Sequence, residues 1–167
     1  MKNDKMNVTG NFRDGQWNVV HLKFLVDFMK AAGLSTLQVA GIMGLTRQSV
    51  YYWFAKDDMK ISQVYRLFSL CGYRISFSLK GESPPPDIKS DVIVNIKVNR
   101  PGDHRNLAFM KQALDDFHIS RDCVAERLQV SKSTVARWFA TDECFVSYVY
   151  KVADAAGLKL HIDIEAV

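Results

Sequence analysis

The chain has 167 residues, a mass of 19.0 kDa and a net charge of +4. This size suits one ordinary domain or two small ones, and a hydrophobic content of 48% argues against disorder throughout. No apolar run approaches the roughly 20 residues of a membrane span, and no cleavable signal peptide is recognisable. The three cysteines are scattered without a CxxC pair, which argues against structural zinc and a disulfide scaffold. We therefore expect a cytoplasmic protein with no metal, no cofactor and no membrane contact.

Residues 22–80 recur as residues 107–165 at a constant offset of 85 and without a gap. Fourteen of the 59 aligned positions are identical, whereas chance supplies about three or four for average composition. The most visible repeated segment is WFAKDD, which returns as WFATDE. An internal repeat of this length indicates a repeated fold unit. It predicts two tandem domains, at 17–80 and 106–167, with a loose segment at 1–16 and a linker at 81–105.

The sequence of each copy, residues 22–80 (copy one) and 107–165 (copy two), predicts four helices. Apolar residues at helical spacing in residues 20–32 predict the first helix. Ser35 and Gln38 have the spacing of a capping box, which predicts that a second helix begins there and turns Leu37 inward. Gly44 ends this helix, because glycine accepts the positive φ of a tight turn.

The third and fourth helices follow at once. Thr46 can cap a third helix over 46–54, with Trp53 on its inner face as a core side chain. Ser62 can cap a fourth helix. We expect Asp57 to organise the loop that leads into this fourth helix, and its counterpart Asp142 to do the same in copy two.

Each copy ends in a strand. Apolar and polar residues alternate strictly in 73–80, and 158–165 repeats the pattern. Neither strand is stable alone, so we predict that the two pair antiparallel about the repeat's pseudo-two-fold axis, with Phe77 near Ile162, within one chain or between two chains. Residues 92–98 also alternate and predict a strand in the linker. The expected fold is mainly α with short β: two tandem four-helix domains, each ending in a β-strand that pairs in a small sheet.

Two short helices joined by a tight glycine-containing turn form a helix-turn-helix. The segment 36–55, TLQVAGIMGLTRQSVYYWFA, resembles the helix-turn-helix of the phage repressor and Cro (Xre-like, lambda repressor-like) family. The segment 121–140, RDCVAERLQVSKSTVARWFA, resembles it almost as well, although Gln129 replaces the turn glycine. The resemblance covers about two thirds of the chain. It implies a prokaryotic, sequence-specific regulator that binds double-stranded DNA through its third helices, 46–54 and 131–139.

The outward residues of both third helices suit a DNA major groove. Arginine pairs with guanine, glutamine pairs with adenine, and hydroxyl groups contact phosphates. Copy one has eight Lys/Arg and three Asp/Glu, a net charge of +5, whereas copy two has seven and nine, a net charge of −2. We therefore expect copy one to dominate DNA binding. The candidate DNA-binding residues are Thr36, Thr46, Arg47, Gln48, Tyr51 and Tyr52 in copy one, and Arg121, Ser131, Lys132, Ser133 and Arg137 in copy two.

Two alternatives remain open at this point. The first is a protein-interaction module, such as an antitoxin-like protein that binds a partner protein on a helix-turn-helix scaffold, and the acidic copy two and Gln129 favour it. The second concerns assembly: a homodimer through strands 73–80 and 158–165 that presents only the more basic copy. No enzyme is expected, because the chain has no GxxxxGK[ST], GxGxxG, HExxH or GxSxG motif and its four histidines are dispersed.

Overall fold

The computed structural model describes residues 17–81 and 106–167. Within these ranges the chain forms eight helices and one two-stranded antiparallel sheet, so the predicted class, mainly α with short β, is confirmed. In chain order the elements are α1 (Lys23–Ala32), α2 (Thr36–Met43), α3 (Arg47–Lys56), α4 (Ile61–Leu70), β1 (Tyr73–Lys80), α5 (Ala108–Asp116), α6 (Arg121–Leu128), α7 (Lys132–Thr141), α8 (Val146–Ala156) and β2 (Lys159–Ala166).

The predicted capping box at the start of α2 is present. The Ser35 hydroxyl accepts the backbone N–H of Gln38 at 3.2 Å, and the Gln38 side chain accepts the N–H of Ser35 at 2.8 Å. Gly44 ends α2 with φ of +66°, as the turn requires. The expectation that Leu37 faces inward is wrong, because this side chain is 61% exposed. The inner face of α2 is centred instead on Thr36 and the residues three and four positions later.

Copy two keeps the same turn without glycine. Gln129 takes φ of +55° between α6 and α7. The backbone N–H of Val130 donates to the carbonyl of Ala125 at 3.0 Å, as the N–H of Leu45 does to Ala40 in copy one at 2.8 Å. The connection between the second and third helices is therefore alike in both copies.

The repeated tryptophans are core residues, as predicted. Trp53 is 7% exposed and Trp138 is 6% exposed. Val50 and Val135, three residues earlier on the same helix faces, are fully buried. Each third helix thus turns one face into its copy and leaves the opposite face outward.

The sheet has the predicted register and joins the two copies within one chain. Phe77 pairs with Ile162, its counterpart at the offset of 85, and Arg74 pairs with Glu165. A register centred on equivalent residues requires a pseudo-two-fold axis at this point. The Phe77 ring lies between Phe24, at a centroid distance of 6.0 Å, and Phe109, the counterpart of Phe24, at 5.6 Å. One aromatic side chain of β1 therefore packs against the first helices of both copies.

A second contact lies on the same pseudo-two-fold axis. The N–H of Ile61 donates to the carbonyl of Cys144 at 2.9 Å. The N–H of Val146 donates to the carbonyl of Met59 at 2.9 Å, so the two bonds exchange when the copies are exchanged. Burial of the Cys144 thiol, with help from nearby Glu143, raises its pKa.

Side chains extend this second contact reciprocally. The Asp58 carboxylate accepts the backbone N–H of Ser147 at 2.9 Å and its hydroxyl at 2.6 Å. Glu143 accepts the same two groups of Ser62. The expectation that Ser62 caps α4 is therefore wrong, since the N-cap position is Lys60 and Ser62 binds the other copy. The last acid of WFAKDD and of WFATDE each holds the fourth helix of the opposite copy.

The preceding acid of each motif has another role. Asp57 accepts the backbone N–H groups of Val20, His21 and Leu22 at 2.9–3.0 Å. Asp142 accepts two equivalent N–H groups just before α5. The expectation that these acids organise the loop into the fourth helix is therefore wrong. Their carboxylates turn back to the start of the first helix, where unpaired N–H groups and the helix dipole favour a negative charge.

The strand predicted at 92–98 and the loose segment predicted at 1–16 lie outside the described residues. None of the helices within the described ranges combines the length and apolar character needed to cross a membrane.

Candidate nucleic-acid interface

The outer face of α3 presents the main candidate residues of copy one. Thr46 caps the helix, with its hydroxyl accepting the N–H of Ser49 at 3.1 Å. Arg47 and Gln48 are exposed in the first turn, and Tyr52 is 48% exposed one turn later. The first turn of a recognition helix is the part that reaches base edges in a major groove. The side chains of Arg47, Gln48 and Tyr52 therefore lie on the accessible side of α3.

Tyr51 does not belong to that exposed face, contrary to the expectation from sequence. It is 7% exposed, and its ring lies 5.2 Å from Trp17. Its hydroxyl accepts a hydrogen bond from Nη2 of Arg47 at 2.5 Å, and the Arg47 guanidinium lies 5.0 Å from the ring centroid. Tyr51 therefore orients the Arg47 side chain from a buried position and is not itself placed to contact DNA.

Thr36 is also not an interface residue. Its exposed fraction is zero because it begins the inner face of α2. The exposed residues that follow it on α2 are Leu37, Gln38, Gly41 and Ile42. Any contact from α2 would come from these uncharged positions.

The chain segment that contains α3 is free of acidic residues as far as Asp57. No Asp or Glu occurs between Asp27 and Asp57 in the sequence, and the Asp57 carboxylate is engaged with the start of α1. Lys56 places its ammonium 4.4 Å from the ring centroid of Tyr52. Copy one thus offers a positive surface to a polyanion.

Copy two presents α7 in the same way, with different side chains. Ser131 caps the helix through the N–H of Thr134 at 3.1 Å, and its hydroxyl also lies 2.9 Å from that of Ser133. Lys132 and Arg137 are exposed on the outer face. Hydroxyl and cationic groups therefore line this helix as they line α3.

An ion pair not anticipated from the sequence occupies one of these cations. The ammonium of Lys132 lies 2.9 Å from Oδ2 of Asp122 on α6, ten residues earlier. This hydrogen bond, followed by the charges of Asp122 and Glu126, raises the pKa of Lys132. Arg121, also a candidate, has its guanidinium 4.3 Å from the Phe139 ring centroid. Copy two is therefore cationic on α7, while the neighbouring α6 carries two acids, Asp122 and Glu126, and two arginines.

Comparison with protein-family models, with curated proteins and with solved structures found no match. In the described part of the chain, no cluster of three His, Cys, Asp or Glu side chains is placed to hold a metal ion.

Proposed function

We propose that this chain is a sequence-specific regulator of transcription, of the repressor type, that binds double-stranded DNA through α3 and α7. The observation that carries the proposal is the exposed first turn of α3, where Arg47 and Gln48 stand together and, among the described residues, Arg47 forms no ion pair with a carboxylate. Arginine and glutamine are the side chains that bind guanine and adenine edges bidentately in the major groove. Such a regulator acts in the cytoplasm, where prokaryotic genomic DNA lies.

The support that Arg47 receives favours base recognition over a loose charge contact. Its guanidinium is held by the Tyr51 hydroxyl and lies against the Tyr51 ring. A long side chain that is already ordered loses less conformational entropy when it binds. This arrangement suits a fixed, directional contact to one base.

The pseudo-two-fold relation between the copies supports a two-part DNA site. Dimeric regulators of this type place their recognition helices in major grooves about 34 Å apart. Here the duplication supplies both helices within one chain, as the shared sheet indicates. Because α3 begins RQSVYY and α7 begins KSTVAR, the two half-sites would differ in sequence and the whole site would not be a true palindrome.

Selection of bound sequences from random duplex DNA tests the proposal. On a selected site, Arg47→Ala and Gln48→Ala should each cost about 1–3 kcal/mol and relax preference at one base position. Lys23→Ala removes one positive charge from α1 and serves as the control, with specificity retained. Variants of Arg47 and Gln48 that keep the parent's preference at every position would contradict the assignment of α3.

A double variant tests copy two. Lys132→Ala with Arg137→Ala should weaken binding by less than Arg47→Ala does and should shorten the footprint at one end. Footprinting of each variant on the selected site measures both effects. An unchanged footprint for the double variant would mean that copy two braces the fold and one chain reads a single half-site.

A second candidate function is binding of a partner protein, in the manner of an antitoxin. Three large apolar side chains on α2 and α3 favour it: Leu37 is 61% exposed, Ile42 37% and Tyr52 48%. Elution from heparin resin in a salt gradient, followed by incubation with a genomic DNA pool, separates the two functions. Elution at low salt with no recovered DNA would favour the protein partner.

A further inference from the structure

On the basis of the proposed DNA-binding function, we propose that the Asp122 carboxylate of copy two competes with DNA phosphates for the ammonium group of Lys132. This carboxylate holds the ammonium group of Lys132, which is the group that would otherwise bind a backbone phosphate. Asp122 thereby limits the affinity of copy two and leaves copy one as the main anchor.

The geometry matches that of a competing anion. Nζ of Lys132 and Oδ2 of Asp122 are 2.9 Å apart, a usual distance for a charged hydrogen bond. Glu126 lies one helical turn beyond Asp122, and both acids line the shallow groove that also includes Lys132. A phosphate that approaches Lys132 therefore meets two carboxylates, which repel it, and it competes with Asp122 for the ammonium group.

Within the described part of the chain, copy one has no ion pair equivalent to that of Asp122 with Lys132. The counterparts of Asp122, Glu126 and Lys132 are Leu37, Gly41 and Arg47, so the two acidic positions are uncharged there. Packing does not explain the difference, since Leu37 is 61% exposed and a Cβ added at Gly41 would meet nothing within 4 Å. Within the described residues, the same surface thus carries carboxylates at these positions in copy two and uncharged residues in copy one.

The strength of the ion pair between Asp122 and Lys132 determines how far it lowers the affinity for DNA. The two side chains are 75% and 65% exposed, and ion pairs at such exposure are weak. DNA can therefore displace Asp122, and the result is a graded reduction of affinity. Non-specific binding, which depends almost wholly on phosphate contacts, is reduced most directly. Copy two would then contact DNA mainly when copy one is already bound to its half-site.

A gain-of-affinity variant tests this inference in the full chain. Asp122→Asn should tighten binding to a selected duplex about two- to ten-fold at low salt. It should also steepen the dependence of log K on log salt by at most about one, because the contact of Lys132 with phosphate no longer competes with Asp122. Asp154→Asn, which removes the same charge from an exposed position on α8, is the matched control and should change neither quantity. Leu37→Asp places the acid beside Arg47 and should weaken binding several-fold. Fluorescence anisotropy at several salt concentrations measures all four proteins, with thermal unfolding as the check on folding.

The outcomes separate this inference from the function on which it rests. If the parent binds the duplex and Arg47→Ala weakens that binding, but Asp122→Asn behaves like Asp154→Asn, the role given to Asp122 is wrong and the function stands. If the parent binds no duplex at any salt concentration, the function is wrong and the inference with it.

Discussion

Replacing Ser147 by alanine tests whether the reciprocal contact of acids and serines holds the two copies together. The Ser147 hydroxyl donates to the Asp58 carboxylate at 2.6 Å, and the residue is only 9% exposed. A hydrogen bond to a charged group contributes about 1.5–3 kcal/mol, and alanine returns a few tenths of a kcal/mol through its higher helix propensity. We therefore expect Ser147→Ala to lower the free energy of unfolding by about 1–2.5 kcal/mol.

Guanidinium unfolding followed by tryptophan fluorescence measures this loss, since Trp53 and Trp138 are buried in different copies. Ser62→Ala is the matched control from copy one. Its hydroxyl also binds a carboxylate, that of Glu143, but Ser62 is less buried, so water replaces the lost bond more easily and the loss should be smaller.

A double-mutant cycle isolates the interaction between Asp58 and Ser147. Asp58→Ala and Ser147→Ala should show a coupling energy of about 1–2 kcal/mol, because the two residues are in direct contact. Asp57→Ala with Ser147→Ala should show almost none, because Asp57 binds the start of α1. Additive losses in the first cycle, or a cost below about 0.5 kcal/mol for Ser147→Ala, would refute the reasoning.

Three further predictions concern single positions. Gln129→Gly should raise the free energy of unfolding by about 1 kcal/mol by relieving a positive φ, and Gly44→Ala should lower it by a similar amount, as chemical denaturation will measure. Gly41→Ala should stabilise the fold by about 0.5–1 kcal/mol, since the added methyl group meets nothing within 4 Å; a loss of stability would show an unrecognised contact. Burial raises the pKa of the Cys144 thiol and of the Tyr65 phenol. Because the folded state then binds these protons more tightly than the unfolded state, the melting temperature should fall as the pH rises above about 9, where an unfolded thiol ionises.

The joining of the copies by the sheet could be predicted because two independent signals agree. Alternation of apolar residues locates β1 and β2, and the constant offset of 85 places Phe77 opposite Ile162. A slip of one residue would turn the apolar face of a strand outward, so the register has few alternatives. The caps at Ser35 and Thr46 were likewise predictable, since each depends on residues within one turn.

The missed features depend on distant parts of the chain. The sequence predicts Tyr51 on the surface because helical spacing places it one turn after Arg47, but Trp17, which precedes the repeat, covers it. The pair of Asp122 with Lys132 spans the turn between α6 and α7, so neither helix alone reveals it. Contacts of Asp58 with the opposite copy required knowledge of where the pseudo-two-fold axis lies.

Residues on the axis show what duplication within one chain permits. In a dimer of identical subunits, a residue on the two-fold axis meets its own copy, so it must be compatible with itself and any substitution acts twice. Here Lys60 meets Phe145 and Phe77 meets Ile162. Two lysines at the position of Lys60 and Phe145 would repel each other. Two phenylalanines at the position of Phe77 and Ile162 would crowd the space that one now fills. Fusion therefore lets each half of the molecule change separately, one residue at a time, without losing its fit to the other half.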